Sequence, residues 1–454
     1  MNNPAILGGL SVRSKPFKNR KTMRAKERKA AIEVINSDVL SGFLGAGGPF
    51  FLGGDKVKYF EKMWAKKYGF KYAISVNSWT SGLIVAVGAI GIEPGDEVIC
   101  SPYSMSASAT CALFYGGIPI FADINPNTFC LDPESIKAKI SNRTKAIIIV
   151  HLFGHPANMD EIREIAKSKE IKIIEDAAQA PGVLYKGQPV GTLGCIGGFS
   201  LNFHKHIHTG EGGVLVTNDH KLALRCQLIR NHGENAIEEY GLEDISNVMG
   251  GNYRLTEISA AIGIEQLKRL DKILDHRQQL ADYLNKRLNE IDGLTIQKVP
   301  DGSTHAYYVY PIKYDESVIG LPRNLFVKAV QAELPKPTGW ETTPLSEGYV
   351  KPLYLNPIYQ KNIAIGKRGF PFNYNRVEYE YPKGLCPVTE RMYEKELLIS
   401  SIVREPLNRN DMKDFVDAIE KVIENASLIR DAFKHEQITD MYNSTRAVNE
   451  TDLR

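Results

Sequence analysis

The chain has 454 residues and a formal net charge of +3 at pH 7; 43% of its residues are hydrophobic and 24% are charged. These values predict a globular protein of two or three domains, and they argue against nucleic acid or a membrane as a partner. The six cysteines form no close pair and no signal peptide is recognisable, so we expect a cytoplasmic protein with free thiols.

The N-terminal part combines a basic cluster with a glycine-rich loop. We interpret residues 1–30 as a solvated arm that leads into a helix over Ala25–Leu40. The loop Ser41–Gly54 carries several large apolar side chains, which are costly to leave in water, so we expect it to line a site or an interface. An amphipathic helix is predicted over Asp55–Tyr68.

From residue 71 onward, short apolar runs alternate with helical patterns. This alternation predicts an α/β fold with a mainly parallel, seven-stranded sheet that is covered on both faces. The predicted strands are Tyr72–Val76, Glu97–Cys100, Ile118–Ile124, Ala146–His151, Ile171–Glu175, Ile196–Leu201 and Val214–Thr217. The predicted helices between them include Ser81–Ile90, Ser106–Tyr115, Pro133–Ile140 and Met159–Ser168. Because ligands bind at the carboxyl ends of such strands, functional side chains are expected just after each run.

A long helical pattern from about Thr256 to Ile291 predicts a helix that joins two domains. Beyond it the pattern predicts a smaller α+β domain. Its predicted elements are strands Thr295–Val299 and Ala306–Tyr314, helix Arg323–Glu333, an aromatic loop over Pro335–Pro382 and helix Asp411–Ala426. We therefore divide the chain into an arm (1–30), a large domain (about 31–270), a small domain (about 271–430) and a polar tail (431–454).

A single lysine, Lys205, stands between a predicted strand and the glycine-rich turn Gly210–Gly213. A lysine amine on a constrained turn suits a Schiff-base nucleophile, although a surface lysine explains this stretch alone more simply. Three histidines surround it at alternate positions, His204, His206 and His208. Such spacing on an extended strand could ligate zinc, but no fourth ligand lies nearby in the sequence, and we do not expect a metal site.

An acid and an amide follow another predicted strand. Asp176 stands where a strand's carboxyl end would present it, and a buried carboxylate there requires a cationic partner. A protonated pyridine nitrogen would serve, and Gln179 could then bond a ring hydroxyl. A carboxylate that caps the following turn explains Asp176 equally well.

Two polar segments could hold an anion. The hydroxyl-rich stretch Asn77–Gly82 precedes a predicted helix, where oriented N–H groups and the helix dipole form an anion cradle, although ordinary capping is the simpler explanation. Ser200, on the strand before Lys205, could add a phosphate contact. The segment Gly250–Glu257 could be a simple loop or could reach a site across a dimer interface. Together with Asp176, these features match pyridoxal 5′-phosphate (PLP).

These motifs occur in an order that resembles the DegT-type (DegT/DnrJ/EryC-like) PLP-dependent sugar aminotransferases, which have fold type I of aspartate aminotransferase. The resemblance covers about residues 30–425 and its most specific part is the pairing of Glu175–Gln179 with Lys205. The matching segments are Asn77–Ser81, Pro102–Ser104, Val150–Gly154, Glu175–Gln179, Phe199–Ser200, Lys205, Gly210–Gly213, Arg230–Gly233 and Asn252–Glu257.

The resemblance implies a role for each matching residue. Lys205 would form the internal aldimine with PLP and later act as acid and base. Asp176 would pair with the pyridine nitrogen and Gln179 with the ring oxygen. The phosphate would be held by Thr80, Ser81 and Ser200 and, across the interface of a homodimer, by Asn252 of the neighbouring subunit.

The chain also departs from the family pattern at three places. The ring-stacking position, commonly aromatic, holds Met105, with Tyr103 close by. Trp79 replaces the small residue that is usual in the phosphate turn. The segment Tyr349–Tyr354 resembles the substrate-side segment of the family but lacks its usual histidines.

The implied reaction moves an amino group from glutamate or glutamine to a keto sugar. A nucleotide-linked sugar is the first candidate acceptor, and a free keto cyclitol or octulosonate-type sugar is the second. A dehydratase of the same family would carry a histidine in place of Lys205, and alignment on Gly210 places the lysine there. The pair Lys205 and Asp176 argues against a non-catalytic regulator, and no GxGxxG follows the first strand as a nicotinamide enzyme requires.

Overall fold

Seven strands form the large sheet, in the order β1-β9-β8-β5-β4-β2-β3. The computed structural model describes residues 3–335 and 344–434. The strands of the first half of the chain are β1 (Tyr72–Val76), β2 (Glu97–Cys100), β3 (Ile118–Phe121), β4 (Thr144–Val150), β5 (Lys172–Asp176), β6 (Leu184–Tyr185), β7 (Gln188–Pro189), β8 (Ile196–Ser200) and β9 (Gly213–Thr217). Strands β6 and β7 form a separate hairpin. All neighbours in the large sheet are parallel except β9, which is antiparallel to β1 and β8, so the predicted fold class is confirmed.

Helices cover both faces of this sheet, because its central strands are apolar on both sides. The helices of the first part of the chain are α1 (Ala25–Asn36), α2 (Asp55–Tyr68), α3 (Trp79–Ala89), α4 (Ala107–Leu113), α5 (Pro133–Lys139), α6 (Met159–Ser168), α7 (His220–Arg230), α8 (Ile237–Tyr240) and α9 (Glu257–Leu267). Those of the second part are α10 (Leu270–Leu288), α11 (Glu316–Ile319), α12 (Arg323–Glu333), α13 (Pro357–Gln360), α14 (Pro387–Arg391), α15 (Arg409–Glu424) and α16 (Ala426–Ala432). None of these helices combines the length and apolar character needed to cross a bilayer.

The predicted long helix is in fact two helices, α9 and α10, and this prediction was wrong. The break falls at Lys268 and Arg269, where the backbone N–H of Arg269 bonds the carbonyl of Gln266 three residues back instead of four. The Arg269 guanidinium is drawn toward the arm, where it bonds the Thr22 carbonyl and Glu27, each over 2.9 Å. Apolar spacing continues across the junction, so the break is not visible in the sequence pattern.

A second, antiparallel sheet forms the core of the small domain. Its strands are β10 (Leu294–Ile296), β11 (Tyr310–Tyr314), β12 (Ser346–Glu347) and β13 (Leu397–Ser400), in the order β10-β11-β13-β12. The apolar faces of α10, α12 and α15 pack on it. The predicted strand Ala306–Tyr314 begins only at Tyr310, because Tyr307 has a positive φ of 47° that interrupts the extended backbone.

The N-terminal arm is fixed to the small domain. Its basic cluster predicted that it would be solvated along its length, and this prediction was wrong. The backbone N–H groups of Ala5 and Val12 donate to the buried Glu333 over 2.7 and 3.1 Å. Arg13 forms ion pairs with Asp411 and Asp414 over 2.9 and 2.6 Å. The first residues of the chain, before α1, therefore contact two helices of the small domain, α12 and α15.

The glycine-rich loop Ser41–Gly54 is partly packed within the chain. Phe51 is fully buried, whereas Leu44 and Phe50 are 59% and 55% exposed. The Asn231 carboxamide donates to the carbonyls of Leu44 and Phe51, each over 2.8 Å. Part of the predicted aromatic loop, residues 336–343, and the polar tail from residue 435 lie outside the described residues.

Candidate active site

The carboxyl ends of β1, β8 and β5 lie at one edge of the large sheet. The register pairs Val76 of β1 with Gly213 of β9, and Gly213 with Ser200 of β8. It also pairs Asp176, the last residue of β5, with Gly198 of β8. The segments that follow these strands are thus close together, at the edge where open α/β sheets bind ligands.

Asp176 is 4% exposed and its carboxylate accepts bonds from its own chain. The indole Nε1 of Trp79 donates to Oδ1 and the hydroxyl of Ser108 donates to Oδ2, each over 2.7 Å. The backbone N–H of Ala178 adds a longer bond of 3.2 Å to Oδ1. A carboxylate offers about four lone-pair sites, so Asp176 can still accept one further donor, such as a pyridine N–H.

Gln179 is also buried and is held at both ends of its amide. Its Oε1 accepts from the backbone N–H of Phe153 over 2.6 Å, and its Nε2 donates to the Tyr349 hydroxyl over 3.0 Å. The Tyr349 ring stands edge-on to Phe153, with the centroids 5.1 Å apart. An amide nitrogen carries two N–H donors, so one remains for a ring oxygen. A segment of the small domain therefore contributes to this part of the site.

Lys205 is half-buried in the loop between β8 and β9. Its Nζ lies 4.2 Å from the centroid of the Tyr308 ring, in a cation–π contact. Tyr308 lies just before β11, and its backbone N–H donates to the Phe153 carbonyl over 2.8 Å. The predicted nucleophile thus rests on an aromatic ring supplied from outside the large sheet.

The backbone of the Lys205 loop is held from the arm by Arg20. The guanidinium donates to the carbonyl oxygens of His204 and His206 over 3.2 and 2.8 Å, and also to that of Lys205. One side chain thereby bonds three successive carbonyls of a loop without regular structure. The basic arm consequently helps to shape the loop.

The first turn of α3 has the features of an anion cradle. Ser78 caps the helix, with its Oγ accepting from the N–H of Ser81 over 3.1 Å. The N–H groups of Trp79 and Thr80 have no partner among the described residues. Thr80 is exposed, and Ser200 lies across Gly213 from this turn in the sheet register. Free N–H groups and hydroxyls at a helix N-terminus fit a phosphate.

The two candidates for the ring-stacking role differ in exposure. Met105, in the loop between β2 and α4, is 62% exposed. Tyr103 is fully buried and stands edge-on to Tyr349, with the ring centroids 5.9 Å apart. Tyr103 is therefore already packed within the chain, and Met105 is the side chain with a face free for a ligand.

Asn252 is exposed and lies beside the loop that follows β1. Its carbonyl accepts from the Asn77 carboxamide over 3.3 Å, and its own Oδ1 accepts from Arg254 Nε over 2.7 Å. The backbone N–H of Asn77 also donates to the carbonyl of Tyr253 over 2.8 Å. The segment is thus near the anion cradle of its own chain, with its side chain at the surface.

The three histidines near Lys205 have separate partners. His206 Nε2 bonds the Ala306 carbonyl over 2.8 Å and His208 Nε2 bonds the Thr22 hydroxyl over 2.6 Å, whereas the exposed His204 lies beside Phe203. Burial, and then nearby guanidinium charges, holds the pKa of His206 well below its usual value and lowers that of His208 to about 4. In residues 3–335 and 344–434 no three His, Cys, Asp or Glu side chains are grouped to hold a metal ion.

The sequence reasoning missed four side chains of this site. Ser108 and Tyr308 carry no motif, and Arg20 appeared only as one member of a basic cluster. Trp79 was visible as a large residue in a turn that is usually small, but its bond to Asp176 was not predicted. Such contacts join residues that are far apart in the chain, and a single sequence contains no record of them.

A family model described as the DegT/DnrJ/EryC1/StrS aminotransferase family matches residues 44–420 of the chain. The L-glutamine:2-deoxy-scyllo-inosose aminotransferase of Streptoalloteichus tenebrarius is 31% identical over 438 residues, which are 94% of this chain and 99% of that protein. The GDP-perosamine synthase of Caulobacter vibrioides is 36% identical over 301 residues, which are 66% of this chain and 77% of that protein.

Solved structures share the fold. The X-ray structure of an aminotransferase from Psychrobacter cryohalolentis superposes with a TM-score of 0.76 at 28% sequence identity, covering 90% of this chain and 99% of that chain. The arrangement of the two sheets and the helices around them is thus one that an aminotransferase adopts.

Proposed function

The chain belongs to the DegT/DnrJ/EryC1/StrS aminotransferase family, and on that premise we propose that it uses PLP, attached to Lys205, to transfer an amino group to a keto sugar. The observation that supports the proposal is that two groups belong to the carboxyl ends of neighbouring parallel strands, β5 and β8. The buried Asp176 carboxylate retains capacity for one more donor, and the loop after β8 carries the Lys205 amine.

Asp176 and Gln179 would orient the cofactor ring. The carboxylate would hold a proton on the pyridine nitrogen, and the free N–H of the Gln179 amide would bond the ring oxygen. PLP supplies an electron sink when its ring nitrogen is protonated. Met105 is the side chain that we propose to cover the ring, because Tyr103 is packed against Tyr349.

Hydroxyl and backbone groups would bind the phosphate. Thr80, Ser81 and the free N–H groups at the start of α3 form one side of the cradle, and Ser200 forms the other. Lys205 would act as acid and base, taking a proton from one reacting carbon and delivering it to another. The cation–π contact with Tyr308 would hold its ammonium in a defined position.

We propose glutamate or glutamine as donor and a nucleotide-linked keto sugar as acceptor. One relative is named for L-glutamine and 2-deoxy-scyllo-inosose, and another for GDP-perosamine. The identity is higher to the second, at 36% against 31%, although over a shorter stretch. A free keto cyclitol is therefore the second acceptor to test.

We also propose that two copies of the chain share their active sites. Asn252 would reach the phosphate of the neighbouring subunit from its exposed position at the surface, as the family resemblance implies. Mixed dimers of Lys205→Ala and Asn252→Ala should then recover part of the activity, because one of the two sites would be intact. Verified mixed dimers without any recovery would contradict sharing.

The attachment is tested by reduction. The protein reconstituted with PLP should be yellow, and borohydride should fix the cofactor irreversibly to the peptide that contains Lys205. Lys205→Ala should not be labelled, and Lys18→Ala, at an exposed arm position, should be labelled as the wild type is. A label on another residue, or none after reconstitution, would contradict the proposal.

The acceptor and the donor are tested by half-reactions followed in the absorbance of the cofactor. Glutamate and glutamine should each be tried for conversion to the amino form, and keto sugars and keto cyclitols for the return. Release of water from a sugar without nitrogen transfer would identify a dehydratase instead. We expect nitrogen transfer, because a dehydratase of this family would carry histidine where Lys205 stands.

A further inference from the structure

Trp79 is the first residue of α3 and is 5% exposed. Its indole reaches across the end of the sheet to the carboxylate of Asp176, 97 residues further along the chain, and donates to Oδ1 over 2.7 Å. An indole N–H can only donate a hydrogen bond, so Oδ1 must be the accepting, unprotonated oxygen. The bond therefore assigns Oδ1 as an acceptor and fixes its position.

A second donor acts on the other oxygen. The Ser108 hydroxyl of α4 donates to Oδ2 over 2.7 Å and is in turn 3.2 Å from the Ser104 hydroxyl. Each oxygen of Asp176 thus has its own side-chain donor, one from α3 and one from α4. Because each oxygen accepts one of these hydrogen bonds, rotation of the carboxyl plane would break at least one of them.

The space for the indole depends on glycines. A methyl group at Gly198, which pairs with Asp176 in the sheet, would overlap the Trp79 ring, and so would one at Gly82 of the next helical turn. A methyl group at Gly213 would press on the Trp79 backbone. Three residues on three elements therefore leave a slot that the indole fills, and the slot directs Nε1 to Asp176.

We propose that Trp79 is a positioning residue that, together with Ser108, holds the Asp176 carboxylate charged and in one plane, so that its remaining acceptor site faces the pyridine nitrogen of PLP. The inference depends on the proposed function, because it assigns a task to Asp176 in cofactor binding. Trp79 itself need not touch the cofactor. It acts through the orientation and charge of its neighbour.

Titratable groups around Asp176 do not compete for this role. Cys111 of α4 is buried, and burial, followed by the charge of Asp176, raises the pKa of its thiol, which stays neutral. His151, after β4, donates its backbone N–H to the Asp176 carbonyl over 3.1 Å while its ring bonds Glu175 over 2.9 Å. Lys205 rests against Tyr308. The two neutral donors are consequently the main side-chain influence on the carboxylate.

The test compares Trp79→Phe with Trp64→Phe. Trp64 is fully buried in α2 and its Nε1 has no hydrogen-bond partner within the described residues, so the control removes an equal group that bonds nothing. The dissociation constant of PLP is measured for both variants and the wild type. Trp79→Phe should weaken binding about tenfold or more, because the carboxylate loses one of its two side-chain donors.

The control separates positioning from general damage. Trp64→Phe should bind PLP as the wild type does. Equal losses of affinity in Trp79→Phe and Trp64→Phe, or wild-type affinity in Trp79→Phe, would overturn the inference. If Trp79→Phe does not fold, Ser108→Ala removes the other donor to Asp176 and should also weaken PLP binding.

A measurement without cofactor keeps this inference separate from the proposed function. In protein labelled with ¹⁵N-tryptophan, the indole N–H signal that disappears in Trp79→Phe should be protected from exchange. It should shift and lose that protection in Asp176→Leu, which has no acceptor. A wild-type protein that fails to bind PLP would refute the cofactor assignment, whereas an unprotected Trp79 indole would refute the bond itself.

Discussion

The amine of Lys205 lies 4.2 Å from the centre of the Tyr308 ring, and the strands next to these two residues are in different sheets. Lys205 follows β8 of the large sheet, whereas Tyr308 leads into β11 of the small one. The backbone of Phe153 links Tyr308 to Gln179, because its carbonyl accepts from the Tyr308 N–H over 2.8 Å and its N–H donates to Gln179 over 2.6 Å. Tyr308 and Phe153 therefore connect the proposed nucleophile, Lys205, to the proposed ring partner, Gln179.

We predict that Tyr308→Leu makes the Lys205 amine more reactive in the cofactor-free protein. An ammonium over an aromatic face is stabilised by about 0.5–1 kcal/mol, so its loss should raise the rate of reductive methylation about two- to fivefold. Peptide mass spectrometry of the Lys205 peptide gives that rate. Tyr308→Phe keeps the ring and is the matched control. Equal rates in Leu and Phe variants would show that the ring does not hold the amine.

Arg20→Met should loosen the Lys205 loop. Three carbonyls, one exposed and two partly buried, lose their donor, and loss of such a hydrogen bond costs about 0.5–1.5 kcal/mol. Hydrogen exchange of the Lys205 and Thr209 amides, which bond the Asn202 and Leu201 carbonyls over 2.9 and 3.0 Å, should then rise about two- to tenfold.

Lys18→Met removes an exposed cation from the same arm and should leave these two exchange rates unchanged. A comparable increase in both variants would mean that the net charge of the arm, rather than the Arg20 bonds, stabilises the loop.

Gln179→Glu should reduce affinity for PLP at least tenfold while the fold is kept. The new carboxylate still accepts from the Phe153 N–H, and the Tyr349 hydroxyl, which accepts from Gln179 Nε2 in the wild type, can turn to donate to it. The carboxylate has no N–H to give to a ring oxygen, and it adds a like charge. Calorimetric titration with PLP measures the effect. Tyr349→Phe deletes only the hydroxyl and should bind PLP within about threefold of wild type. A loss as large in Tyr349→Phe would assign the effect to the small-domain segment instead.

Acid should destabilise the protein partly through His208. Its pKa is lowered to about 4, mainly by burial, whereas an unfolded histidine titrates near 6.5. The unfolded chain therefore takes up the proton first, so this contribution is fully present above about pH 6.5 and is lost as pH falls toward 4. It amounts to up to about 3 kcal/mol.

In His208→Gln, the urea concentration at half-unfolding should therefore decrease less steeply than in the wild type as the pH falls below about 6.5. Glutamine can still donate to the Thr22 hydroxyl that His208 bonds over 2.6 Å. His220→Gln changes an exposed histidine and should leave the slope as it is. The slope should not vanish in His208→Gln, because burial also lowers the pKa of His155, His206 and His305. An unchanged slope would show that His208 is not protonated on unfolding in this range.

The sheet and most helices could be predicted because their signals are local. Strand β1 and helices α2, α6 and α12 begin and end at the predicted residues, since apolar periodicity and turn residues occur within each segment. The junction of α9 and α10 could not be predicted, because the bonds that draw Arg269 aside come from Thr22 and Glu27, far away in the chain.

In the candidate site, too, the positions that depend on local signals could be predicted, and the contacts between distant residues could not. Asp176 and Ser200 lie at the ends of predicted parallel strands and Lys205 follows one, so the edge that they share could be inferred from the strand pattern alone. The partners of Asp176 could not, because the bond from Trp79 exists only where Gly198 and Gly82 leave room for an indole. Glycines in strands and helices suggest close approach, but they do not name the residue that approaches.

The docking of the arm implies an order of events during synthesis. Ala5 bonds Glu333, 328 positions later, and Arg13 pairs with Asp414, 401 positions later. Domains fold as they emerge from the ribosome, beginning at the N-terminus. The strands of the large sheet can therefore assemble while Ala5, Val12 and Arg13 still lack the partners that are made later. The carbonyls that Arg20 bonds, at residues 204–206, are made much earlier, so this contact on the Lys205 loop can form before the small domain is complete. A protease that cuts within the arm should thus free the loop and leave the sheet behind it intact.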